Sequence, residues 1–85
     1  MLPRKTVFLP LPGGDLVSFA SIHAFKTLPS GEVALVGEDN RLTAMFDPHD
    51  YVGVAPEEAV KVIRRLLREF SESKPIKLPE WMDQI

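Results

Sequence analysis

Three closely spaced turn signals constrain this chain most. Pro12-Gly13-Gly14-Asp15, Pro29-Ser30-Gly31 and Gly37-Glu38-Asp39-Asn40 all fall within its first forty residues. The first puts two glycines where a tight hairpin needs positive φ, which other residues reach only at a steric cost. In the second, proline sets φ at the opening turn position and glycine is free to take the left-handed one. The third is built from residues that tolerate turn geometry. Connections this short join only antiparallel neighbours. The spacing therefore predicts four strands, over residues 5–11, 16–26, 33–36 and 42–46, running as an antiparallel meander.

The patterning within these runs agrees. Val7, Leu9 and Leu11 alternate with Thr6, Phe8 and Pro10, and a proline inside the run points to a sheet edge. The second run has Val17, Phe19 and Phe25 on one face and is long for a strand, whose usual length is about 5 to 6 residues. A bend near the small residues Ala20 and Ser21 is predicted there. Residues 33–36 are continuously apolar, and Leu42, Ala44 and Phe46 alternate with Thr43 and Met45.

After the strands the period changes. Pro56 suits a first helical position, and Glu57 and Glu58 suit the positive end of the helix dipole. Ala59, Ile63, Leu66, Leu67 and Phe70 then recur at intervals of three and four, joined by Val60 and Val62, with Lys61, Arg64, Arg65 and Arg68 on the other side. One face is predicted to lie on the sheet. Residues 71–77 read as a polar linker interrupted by Pro75. Leu78, Trp81, Met82 and Ile85 follow at i, i+3, i+4 and i+7, with Pro79 and Glu80 as a helix start. Two turns are not stable alone in water, so a helical tail must dock on something. The expected organisation is a single α+β domain over residues 1–70, with a linker and amphipathic tail over 71–85.

Composition bounds the partners. Eighty-five residues, 45% hydrophobic, supply one core. A domain this small buries roughly 60% of its unfolded surface, so association with a partner or a second copy is expected to add burial. The net charge of −2 argues against a wholesale electrostatic grip on nucleic acid or on an anionic membrane. No run reaches the roughly 18 apolar residues of a membrane span, and the opening residues read as neither a signal peptide nor an anchor. The absence of cysteine excludes disulfides and thiolate metal sites, and it fits a cytoplasmic protein.

Three groups of side chains are candidates for function. Asp47, His49 and Asp50 sit together between the last strand and the helix. Carboxylates and imidazole are competent ligands for zinc or manganese and competent acid-base groups, yet the same residues also make an ordinary solvated turn. Lys61, Arg64, Arg65 and Arg68 form a basic stripe suited to phosphates or to an acidic protein surface, and equally to solvent. Leu78, Trp81, Met82 and Ile85 resemble the anchors of helix-in-groove recognition, or else cap the domain's own core. His23, between apolar neighbours, reads as a core-rim residue. None of the five serines sits in a G-x-S-x-G elbow, and Gly13-Gly14 belongs to no phosphate-loop motif. No catalytic residue and no cofactor is assigned.

The order of elements, with Leu9 through Gly14, then Ile22, Val33 to Leu35 and the acidic helix start at Glu57-Glu58, resembles the small flagellar FlbD-type proteins over roughly residues 7–67. The chain lacks the asparagine-glycine turns expected of that family, and its Trp81 tail has no counterpart there. No functional residue is carried over. The expected function is a non-enzymatic protein-binding module, meaning an adaptor, regulator or inhibitor. It would bind another protein or a second copy through the tail, the basic helix face or both. A nucleic-acid-associated regulator using the basic face is the first alternative. A small metal-binding or metal-dependent protein using the 47–51 loop is the second.

Overall fold

A computed structural model describes residues 7–82, so Lys5 and Thr6 of the expected first strand and Ile85 of the tail stripe lie outside the described residues. The chain is α+β. Among the described residues five strands, β1 (Phe8–Pro10), β2 (Leu16–Ser18), β3 (Ala24–Thr27), β4 (Val33–Val36) and β5 (Leu42–Phe46), precede one α-helix, α1 (Pro56–Ser71). β1 and β2 form a two-stranded antiparallel sheet, while β3, β4 and β5 form a three-stranded antiparallel sheet with β4 in the centre.

The three turns fall where the sequence puts them. Gly13 and Gly14 have φ of 97° and 95°, and the loop is closed by the Leu11 N–H donating to the Asp15 carbonyl at 2.8 Å. The second hairpin is closed by the Leu28 N–H donating to the Glu32 carbonyl at 2.8 Å. In the third, the left-handed positions go to Asp39 and Asn40, with φ of 59° and 62°. Gly37 has an ordinary φ of −98° and serves a different purpose. A Cβ there would stand 2.7 Å from Thr43 Oγ1 and 3.0 Å from the Ser21 carbonyl oxygen. Only glycine lets these segments approach so closely.

The single four-stranded meander expected from the sequence is not what forms. The long second run is interrupted by a 3₁₀ turn at Phe19–Ser21, and its halves enter different sheets as β2 and β3. Two interactions hold the break. Ser21 Oγ donates to the Ser18 carbonyl at 2.8 Å, and the Ile22 N–H donates to the Phe19 carbonyl at 3.1 Å. The turn also carries Phe19 into the core, where it is 1% exposed and meets Phe70 of α1 edge to face at 5.5 Å.

The core lies between the sheets and α1. Leu9 and Val17 face inward from the first sheet, Val33, Leu35 and Phe46 from the second, and Ala59, Val62, Ile63 and Leu66 from the helix. Register explains the choice of face. Leu9 opposes Val17, and Val33 opposes Phe46, so each pair shares one side of its sheet. Fully burying one such side chain is worth about 1.5–3 kcal/mol.

α1 begins as read, with Pro56 in its first turn and Glu57 and Glu58 beside it. Its end is a paired-hydrogen-bond cap of the Schellman type. The Lys74 N–H donates to the Glu69 carbonyl at 2.9 Å and the Ser73 N–H to the Phe70 carbonyl at 3.1 Å, while Ser73 takes φ of 59°. The tail does not form the predicted two-turn helix within the described residues. A single 3₁₀ turn, Glu80–Met82, stands in its place, closed by the Met82 N–H donating to the Pro79 carbonyl at 3.1 Å. Pro79 has no N–H to extend a helical ladder backward, and so short a segment gains its shape from docking.

Candidate functional site

The three candidate groups end in three different situations. The tail is part of the core. Met82 is 1% exposed, and Leu78 and Trp81 are partly buried against the same cluster. The Trp81 ring meets Tyr51 edge to face at 4.9 Å, and Tyr51 in turn meets Phe46 at 5.8 Å. Tyr51 Oη donates to the Pro10 carbonyl at 2.6 Å. One tyrosine thus ties β1, β5 and the tail together. Burial raises its phenol well above the ordinary 10.0. Sequence reasoning placed Tyr51 with the polar loop and missed this role. The available signal was its amphipathic character, a large ring to bury and a hydroxyl that must find an acceptor.

The loop after β5 resolves into a short turn. Asp47 is its cap. Its Oδ1 accepts from the His49 N–H at 2.9 Å and lies 2.9 Å from His49 Nδ1, and a 3₁₀ turn runs over Pro48–Asp50. The Asp47 carboxyl is held below its ordinary value of 3.8, first by the His49 N–H and then by the His49 ring. Both side chains are substantially exposed. Asp50 has no contact with this pair among the side-chain hydrogen bonds and ion pairs of the described residues. Nor, among the described residues, do three metal-ligating side chains of the His, Asp or Glu type converge. The Asp47–His49 geometry is accounted for as a turn cap. His23 is exposed rather than at a core rim, and its N–H donates to the Val36 carbonyl at 2.8 Å.

The basic stripe is the group left exposed and without an ion-pair partner among the described residues. Lys61, Arg64, Arg65 and Arg68 are all exposed. At about 100° per residue they fall within an arc of roughly 100°, on the side of α1 away from Ala59, Ile63 and Leu66. The guanidinium of Arg64 lies 5.4 Å from the centroid of the Phe25 ring, which fixes that end of the stripe over β3. Ion pairs among the described residues are His49 with Asp47 and Lys74 with Glu72, so no stripe residue is held by an internal carboxylate there. Four cations presented along about two helical turns suit a surface of carboxylates or phosphates. No helix among the described residues is long and apolar enough to cross a membrane. Neither a family model nor a curated protein nor a solved structure matches the chain.

Proposed function

We propose that this chain is a non-enzymatic protein-binding module of the cytoplasm, an adaptor, regulator or inhibitor, and that it engages an acidic protein surface through Lys61, Arg64, Arg65 and Arg68. The observation that carries the reading is the exposure of these four side chains without an internal ion-pair partner among the described residues. The tail belongs to this reading in a supporting role. Its apolar side chains fill the domain's own core, so a partner gripping Met82 would first have to extract it. The resemblance to FlbD-type proteins is a proposed kinship in element order and adds no residue to the site.

A protein is favoured over a nucleic acid for two reasons. The overall charge is −2, which gives no long-range attraction to phosphate. Among the large exposed hydrophobic side chains, Phe8 is the single aromatic, whereas single-stranded bases are held on several stacked rings.

The test is capture from lysate of the native source with and without nuclease, using the intact chain and a variant carrying Lys61→Glu, Arg65→Glu and Arg68→Glu. A protein that survives nuclease, is lost with the variant and is released by added salt supports the reading. Equal capture by both chains removes the helix face from it. Capture abolished by nuclease, with a steep salt dependence, transfers the stripe to nucleic acid.

A further inference from the structure

We propose, resting on the helix-face reading, that Glu57, Glu58 and Glu72 are specificity residues of that face. They bracket the basic stripe with negative charge, so that it accepts a short cluster of carboxylates on a protein surface and rejects a continuous polyanion. From Lys61 to Arg68 the stripe is about 10 Å long at about 1.5 Å per residue. Beyond either end the same face turns acidic. Glu57 precedes Lys61 by four positions, and Glu72, which caps α1, follows Arg68 by four. Each therefore lies about 6 Å past the stripe. At about 100° per residue both fall within the arc the four cations occupy, and Glu58 falls about 20° outside it. All three carboxylate residues are exposed.

Support of the helix does not account for this arrangement. A spacing of four is the one at which opposite charges pair along a helix, yet neither Glu57 with Lys61 nor Arg68 with Glu72 closes such a pair. The cations stay open to an outside carboxylate, while the bracketing charges act across a distance shorter than the Debye length of about 8 Å at physiological salt. Glu57 and Glu58 also complement the positive end of the helix dipole. Glu72 stands at the negative end, where a carboxylate is unfavourable. Its contact there is with Lys74, at 3.1 Å between two substantially exposed side chains. Lys74 offsets part of the Glu72 charge, which makes Glu57 and Glu58 the stronger bracket.

The length of the stripe separates the two kinds of anion. Duplex nucleic acid carries a negative charge about every 1.7 Å of its length, so along α1 it cannot cover the cations without also covering the carboxylates beyond them. Laid across α1 it avoids the brackets but reaches fewer of the cations. A protein presents its carboxylates in clusters. A few of them within about 10 Å match the stripe, leaving neutral or basic neighbours opposite Glu57, Glu58 and Glu72. Like charges brought together cost affinity, so the discrimination lies in what the brackets repel as much as in what the stripe attracts.

The test removes the brackets and keeps the stripe. Binding of a fluorescent DNA duplex of about 20 base pairs is followed by anisotropy at about 50 mM salt, with far-UV circular dichroism confirming that each chain is folded. The chains are the intact protein, the variant E57Q/E58Q/E72Q, and a control of the same net charge, D15N/E38Q/D39N, altered at exposed loop positions. A fourth chain adds K61E, R65E and R68E to the bracket variant. The bracket variant is expected to bind the duplex at least about tenfold more tightly than the intact chain and the control, and the added stripe reversals to abolish that gain. A bracket variant no tighter than the intact chain overturns the proposal, as does an equal gain in the control or a gain that survives the stripe reversals. Lysate capture tests the helix-face reading without reference to the brackets, so the two fail separately.

Discussion

Tyr51 concentrates more of this fold in one side chain than any other residue described. Its ring packs between Phe46 and Trp81, and its hydroxyl reaches the Pro10 carbonyl across 41 positions of sequence. Tyr51→Phe keeps the ring and deletes that bond, leaving a carbonyl unsatisfied, and is expected to cost about 1–2 kcal/mol in urea unfolding. Because Tyr51 is the only tyrosine, its ionisation can be followed by ultraviolet absorbance. The folded phenol keeps its proton above the ordinary 10.0 while the unfolded one releases it. The native state then binds more protons than the unfolded, so stability is full below pH 10.0 and falls as pH rises past it. Tyrosinate absorbance appearing only together with loss of helix signal is the expected outcome. Asp47 runs the other way. Its lowered carboxyl value favours the native state above the ordinary 3.8, and that contribution is lost as pH falls through the lower folded value. An NMR titration of the Asp47 carboxyl carbon is expected to show a midpoint below 3.8, and His49→Ala to move it upward, the ring contribution being removed.

The helix offers the sharpest contrast between buried and exposed positions. Leu66 is 0% exposed, so Leu66→Ala is expected to cost about 2–5 kcal/mol, whereas Arg65→Ala on the free face should change stability by no more than about 0.5 kcal/mol. Ser73 holds a left-handed conformation that glycine adopts without penalty, and Ser73→Gly is expected to stabilise the chain by about 0.5–1 kcal/mol in the same urea experiment. Elements of this kind were legible in the sequence. Turn chemistry located all three hairpin connections of the first half, and the three-four period with Pro56 located α1, because those signals are local. The division of residues 16–26 was legible as a bend and not as a change of sheet. Phe19 meets Phe70, fifty-one positions away, and nothing local reports that contact. The tail had a readable apolar spacing, but whether Trp81 and Met82 serve a partner or the core depends on the gap beside Tyr51, which only the assembled fold shows. The candidate site divides in the same way. The basic stripe follows from periodicity, while the modest role of Asp47 and His49 follows from a turn geometry that composition does not reveal.

At the scale of the whole molecule, a short chain has closed its core by folding its last described residues back on itself. Without Leu78, Trp81 and Met82 the cluster around Tyr51 would lie open to water, and a domain of 85 residues has little stability to spare. This closure commits the tail's apolar side chains to the core and leaves the helix face as the binding surface we propose. Trp81, the single tryptophan, reports on it directly. Unfolding in urea should be followed on one sample by Trp81 fluorescence and by the far-UV signal of α1. Coincident transitions, with the Trp81 emission red-shifting only as the helix is lost, are the predicted result. A Trp81 transition complete at low urea while the helix remains intact would mean that the tail is a separate arm, and would contradict the account.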